Sequence, residues 1–337
     1  CDLIFEVVVM LKYIIRNLLL VIPTMFCVVL IVFTINYLTP GDPVAIYYDF
    51  DYTEEQYVEK AAEWGLDKPY WEQFFHYIKQ IVTKLDFGYS YYSGKNVMSE
   101  LRSRFPVSLK LGLISVALTV VIGIPFGIIS ATRQYSALDY TVTLVSLFFA
   151  AVPGFWLAMM MILLFSNTLG WLPASGLTSW KCYIMPVIAT SAQYIASVTR
   201  QTRSSMLEVI RRDYIRTARA KGVSEGVVIR RHALRNALIP VITLVGMQVG
   251  AVVAGSAIIE SIHSFPGMGS MMMTAINNKD YNSIQAIVLL MSGVVCLINV
   301  LVDIIYVFVD PRIRAQYQKH SARKKTKRAA APVQTGR

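Results

Sequence analysis

The chain has 337 residues, 55% of them hydrophobic and 16% charged, and a net charge of +11. A mean hydropathy of +0.50 is too apolar for an ordinary soluble domain. The basic excess lies between and after apolar runs, where membrane topology places it, so no nucleic-acid partner is expected.

Runs of about 20 mostly apolar residues read as membrane-spanning helices, because a hydrocarbon core of about 30 Å needs that length. Six occur, at 13–36, 107–131, 140–168, 184–204, 237–260 and 284–309. The expected fold is an all-α polytopic membrane protein. Residues 1–12 precede the first span, and 1–9 read as an upstream extension because "MLKYIIRNLLLVIP" from Met10 resembles a natural start. The first run is long and no A-x-A site follows it, so it is expected to remain as an uncleaved span.

Residues 37–106 form the one sizeable polar segment between spans. Two helical patterns are broken there at "GLDKP" (65–69), and Tyr70, Phe74, Tyr77, Ile78 and Ile81 make the second amphipathic,. Such a small lobe cannot bury much of a core and should lean on the span ends. "GYSYYSGKN" (88–96) fails as a phosphate loop: five residues separate its glycines, and Asn follows the Lys,.

Gly123, Pro125 and Gly127 interrupt the second span and Pro153-Gly154 the third, either as static kinks or as bends lining a pathway,. The 205–236 segment after the fourth span carries "DYIRTARAKGVSEGVVIRRHALRNALIP" (213–240). Read as two short helices, it sets Tyr214, Ala218 and Gly222 on one small, nearly flat face. Arg212, Arg216 and Arg219 fall on the opposite face. Gly222 ends the first helix and Ser224 caps the next. A small face permits close approach by a partner, whereas a merely solvated loop has no need of one.

After the fifth span, Pro266, Gly267 and Gly269 of "FPGMG" suit a tight turn or a gate. Met271-Met272-Met273 point in three directions and read as packing. Along the last span Asn299, Asp303 and Tyr306 share one face. A central Asp costs about 2.5–3.5 kcal/mol to insert, so Asp303 should face protein, as a polar clasp with Asn299 rather than a proton relay. The tail, 315–337, is basic, then small and polar, and is expected to be disordered near anionic lipid,.

Four scattered cysteines and four scattered histidines form no metal site, and no nucleophile–base pair or nucleotide motif stands out,. No catalytic or metal-binding residue is expected, and the chain is not expected to be an enzyme. Lys12, Arg16, Arg133, the ten basic residues from Arg200 to Arg235 and the nine from Arg312 onward fall on one side of six spans. The positive-inside rule puts that side, with both termini, in the cytoplasm.

In this order, "LTPGDPV" (38–44), "GLDKP" (65–69), "DFGYS" (86–90), "GWLPASG" (170–176), "TRSSMLEVIRRDYIRTARAKG" (202–222), "RHALRNALIPVIT" (231–243), "FPGMG" (265–269) and "NVLVDIIYVFVDPRIR" (299–314) resemble the inner-membrane permease subunits of ABC importers. The match is to the dipeptide/oligopeptide/nickel branch and covers nearly the whole chain from Met10. The resemblance implies a type I importer permease fold over 107–314, with the 37–106 lobe outside a bacterial or archaeal cytoplasmic membrane. In that family the loop after the fourth span carries the EAA motif, whose helix docks on a cytosolic ATPase. This maps coupling onto Tyr214, Arg216, Thr217, Ala218, Arg219, Ala220, Lys221 and Gly222. Arg216 and Thr217 stand where the motif has Glu and its first Ala, and Arg235 where it has Pro.

Also implied are a homologous second permease in a heterodimer, two ABC ATPases that bind ATP and magnesium, and an extracytoplasmic solute-binding protein. The cargo expected first is short peptides, with nickel or a metal chelate and glutathione as alternatives. A stand-alone channel or secondary transporter is the rival class. It would need its own coupling-ion site, for which Asp303 alone is thin support.

Overall fold

The computed structural model describes residues 2–48, 50–254 and 256–309, with side chains from Ile15 to Ile305 except at positions 49, 254 and 255. The tail at 315–337, Tyr306's side chain and any structure at Cys1 lie outside the described residues. Helix dominates what is described, beginning with α1 (Asp2–Leu38). The polar lobe follows as α2 (Pro43–Tyr47), α3 (Glu54–Trp64) and α4 (Tyr70–Lys84). Thr53 opens α3 with a capping box to Gln56, and Gly65 closes it at φ +69°,. The lobe leans on α1 as its sequence pattern requires: Phe74 and Tyr77 of α4 bury against Phe33.

Next, α5 (Val97–Thr132) is continuous through Pro106 and Pro125. Its 36 residues span about 54 Å,. α6 (Ala137–Ala151) and α7 (Gly154–Met161), the latter extended by a π-helical stretch Ile162–Thr168, occupy the expected third span, 140–168, on either side of the interruption expected at Pro153-Gly154. The chain bends there by 99°. Pro153 cannot donate to the ladder, and the Gln193 side chain donates to the Val152 carbonyl at 3.1 Å. A neighbouring helix thus satisfies what the break exposes.

α8 (Ile184–Ile210) covers the expected fourth span but is not apolar enough to count as a membrane-crossing helix by composition. Four helices pass that test among the described residues, five if the bent pair is one span. The reason is packing. α8 lies among α5, α6, α7 and α11, so Thr190, Ser191, Thr199, Thr202 and Ser205 are buried in protein instead of facing lipid. α5 approaches it closely because any side chain at Gly127 would strike Thr202 and the Thr199 carbonyl,.

Beyond α8 come α9 (Asp213–Ala220), α10 (Glu225–Val227), a π-helical stretch Val228–Ala233 and α11 (Leu234–Ala254). The expected fifth span, 237–260, therefore ends early, and its last residues form a separate short helix, α12 (Ala257–Ile262). α13 (Met268–Asn277) and α14 (Tyr281–Val309) complete the chain as described. The lobe and the 205–236 segment lie at opposite ends of α5. Val97 at its start packs with Phe87, Met268 and Ile287, while Ala131 at its end packs with Met206 and Ile215.

Candidate functional site

The segment after α8 folds as an elbow. α9 leaves α8 through a two-residue turn and is held by two residues of one face. Ile215 is fully buried and Ala218 is 9% exposed. Both sit in a cluster with Ala131, Met206, Val228, Ala233 and Ala237. The small face thus serves a different surface from the one its spacing implies. Ala218 packs inward, on the ends of α5 and α8 and on the π-helical stretch. A larger side chain there would lift α9 off the bundle.

Gly222 has open space around it and φ +79°. The left-handed turn by itself requires a glycine there, since no other described residue of this chain lies against it,. Ser224 stands at the next helix start, yet its side chain makes no capping hydrogen bond. Tyr214 is 44% exposed, and its hydroxyl accepts from Asn236 Nδ2 at 3.0 Å.

Outward from the elbow point Arg216, Thr217, Arg219, Ala220 and Lys221. Arg219 closes the turn on itself, donating from Nε at 3.0 Å and from Nη2 at 2.6 Å to the two oxygens of Glu225. That fork holds the Glu225 carboxyl below its ordinary value,. At the root of α9, Arg212 pairs with Glu208.

Beside the elbow a polar clamp joins three elements. Arg203 of α8 forks onto the buried Asp139 of α6 at 2.7 and 2.9 Å. The same carboxylate accepts from Ser130 Oγ at the end of α5 and from the Tyr135 N–H at 3.0 Å. Nothing in the apolar pattern of α6 advertises this clamp. The helix-start signature Ser136-x-x-Asp139 could have exposed it,.

At the other end of the bundle the "FPGMG" loop is locked to a fully buried acid, Glu260 of α12. Its carboxylate accepts from Ser108 Oγ at 2.7 Å, Ser256 Oγ at 2.6 Å, and the N–H groups of Gly269 at 2.8 Å and Ser270 at 3.2 Å. Gly267 and Gly269 are needed because a side chain would strike Glu260 and Ser108 at the first, and the Ala257 backbone at the second. Gly267 has φ −101°, so the requirement is close approach, not an unusual turn. Pro266 links these groups to buried Phe265. Glu260 could have been found as the acid closing an otherwise apolar run.

Asp303 accepts from Asn17 Nδ2 of α1 at 3.0 Å, so it faces protein. Asn299 lies a turn away, toward Gly250 of α11. Of the three methionines, Met271 is buried and Met273 exposed. No group of acids, histidines and cysteines that could hold a metal occurs among the described residues.

Comparison with known proteins matches two family descriptions. Residues 123–315 match the binding-protein-dependent transport system inner membrane component. Residues 10–112 match the N-terminal component of the same systems. The chain is 40% identical to the glutathione transport system permease protein GsiC of Escherichia coli (strain K12), over 90% of this chain and 99% of that one. It is 37% identical to the dipeptide transport system permease protein DppB of Alkalihalophilus pseudofirmus, over 90% and 100%. A chain of the MetNI methionine ABC transporter in inward-facing conformations superposes with a TM-score of 0.55 and 21% identity, over 63% of this chain and 97% of that one. That last likeness bears on fold.

Proposed function

Because the chain belongs to the binding-protein-dependent transport system inner membrane components, we propose that it forms half of the pathway through which an ATP-driven importer takes up short peptides. It is a multi-pass membrane permease of the ABC importer class. In the proposed assembly a homologous permease supplies the other half, and two cytosolic ATPases bind ATP and magnesium beneath the elbow. An extracytoplasmic binding protein delivers the solute on the lobe side. Both termini would then be cytoplasmic, the orientation that the basic residues favour.

The observation that carries this reading is the build of the elbow. Its inner face is seated on α5 and α8 through Ile215 and Ala218, while Arg216, Thr217, Ala220 and Lys221 face outward. A push on that outer face reaches the ends of two spans directly. Energetics require such a contact. Driving a two-state transporter from 1:99 to 99:1 takes about 5.5 kcal/mol of differential binding, and this chain offers no nucleotide motif with which to gather it. The π-helical stretch Val228–Ala233 at the return of the elbow suits a hinge,.

Cysteines at Ala220 and Lys221, which are exposed, should cross-link to the ATPase subunits in the assembled complex. A cysteine at Ala218 should not, since that position is buried. Ala220→Trp should leave assembly in the membrane intact and cut solute-stimulated ATP hydrolysis at least tenfold. Unchanged coupling in that variant would remove the elbow from the mechanism.

For cargo, the relatives named for glutathione and for dipeptides agree on a small peptide, glutathione being one itself. Titrating the cognate binding protein with dipeptides, glutathione and nickel distinguishes these. Binding of nickel alone would overturn the peptide assignment.

A further inference from the structure

α4 presents more apolar surface than the described residues cover. Phe74 and Tyr77 face α1 and are buried, whereas Gln73, His76 and Gln80 line a cavity between the lobe and α14. A third stripe belongs to neither. Trp71, Phe75, Ile78 and Val82 recur at i, i+4, i+7 and i+11,. Ile78 is half-buried, but Trp71, Phe75 and Val82 are each more than half exposed. Together with Phe74 and Tyr77 they make an apolar arc of about 160°, at about 100° per residue, and α1 covers only one side of it. Glu72 and Lys79 border the stripe toward the polar face.

The depth of α4 says what covers the rest. Two polar ties join α1 to α14: Asn17 to Asp303 at 3.0 Å, and Asn36 Nδ2 to the Tyr281 carbonyl at 3.2 Å. Along α1 they stand about 29 Å apart at 1.5 Å per residue, close to the hydrocarbon thickness of about 30 Å. They therefore mark its two edges. Phe33 and Val29, which pack with α4, lie about 5 and 10 Å inside the lobe-side edge. On either side of α4 the chain returns to that edge. Tyr70 meets the Tyr37 ring at 5.0 Å, and the Tyr89 carbonyl accepts from Asn282 Nδ2 at 2.8 Å. The helix thus lies across the ends of α1 and α14, at the depth of an interfacial helix.

The stripe also continues a surface that α1 already turns to lipid. Phe26, an exposed residue of the membrane-crossing α1, meets the Phe74 ring at 6.0 Å. Phe74 in turn meets Trp71 at 6.0 Å and Phe75 at 5.6 Å. One apolar surface therefore runs without a gap from the span onto α4. Trp71 has the amphipathic ring that favours the boundary between acyl chains and headgroups. Such a surface left in water would promote association; in acyl chains it is matched.

We propose that α4 lies in the plane of the lobe-side leaflet, with Trp71, Phe75, Ile78 and Val82 against phospholipid acyl chains. The inference goes beyond the transport reading and rests only on α1 crossing the membrane. Phe75, His76, Val82 and Thr83 are replaced one at a time by the photoreactive p-benzoylphenylalanine in the full chain. Each variant is irradiated in nanodiscs of phosphatidylethanolamine and phosphatidylglycerol, alone and in the assembled importer. Phospholipid adducts, read by mass spectrometry, should be at least fivefold more abundant at 75 and 82 than at 76 and 83. A smaller ratio, or cross-links from 75 and 82 to another polypeptide in place of lipid, would overturn the proposal. Should the inserted side chains loosen α4, seen as faster amide exchange from Tyr70 to Lys84, Trp71 decides instead. The fluorescence that Trp71→Phe removes should be at least halved by phospholipid brominated on its acyl chains, and a smaller loss would likewise refute the placement.

Discussion

Single side chains here carry consequences that their exposure alone would not suggest. Asp139 and Arg203 form a forked pair whose acid is buried, and removing one partner leaves the other uncompensated. Arg203→Met should therefore lower stability by about 3 kcal/mol, read as a drop in the unfolding midpoint of the chain in detergent. Glu260 satisfies two hydroxyls and two backbone N–H groups at once. Glu260→Ala should cost on the order of 3 kcal/mol, with amide exchange at Gly269 and Ser270 rising first. Gly222 makes a different kind of demand. At φ +79° any other residue is strained by about 1–2 kcal/mol,, so a bulky replacement mixes strain with steric hindrance. Ala220 is the cleaner position from which to test docking.

Among the elements, the elbow should respond to acid in a defined way. The Glu225 carboxyl titrates below its ordinary value of 4.5 because Arg219 holds its ionised form. A depressed acid contributes its full stabilisation above the unfolded value and loses it as pH falls through the folded one. Exchange protection of the amides from Val223 to Val228 should accordingly be flat from pH 7 to about 5 and fall below about 4.5. In Glu225→Gln that acid-dependent fall should vanish.

Much of this level was legible beforehand. The helix end at Gly222, the amphipathic α4 and the break at Pro153 follow from local chemistry that a sequence displays directly. The facing of Ala218 was not legible, because a small residue permits close packing without saying what packs. Nor was the burial of α8. Hydropathy measures what a helix would prefer if it faced lipid, and α8 is surrounded by protein. Asp139 and Glu260 each have partners close in sequence, but the ones that tie them to another helix, Arg203 and Ser108, lie 64 and 152 residues away.

For the whole molecule, α5 and α8 form the axis on which both ends depend. Gly127 lets them meet, and Gly127→Val should block that approach, reducing the folded yield severalfold by size-exclusion chromatography. The two ends of α5 carry unlike attachments: the elbow at one, the lobe with α13 and α14 at the other. Lobe and last helix are fastened by a further acid, Asp280, which accepts from Ser90 Oγ at 2.5 Å and from the Tyr91 N–H at 3.0 Å. Wherever α14 tilts, the lobe has to swing with it like a pointer on a spindle. A dye attached at exposed Trp71 would then report movements of α14 from a position on the lobe, with no probe placed on the helix itself.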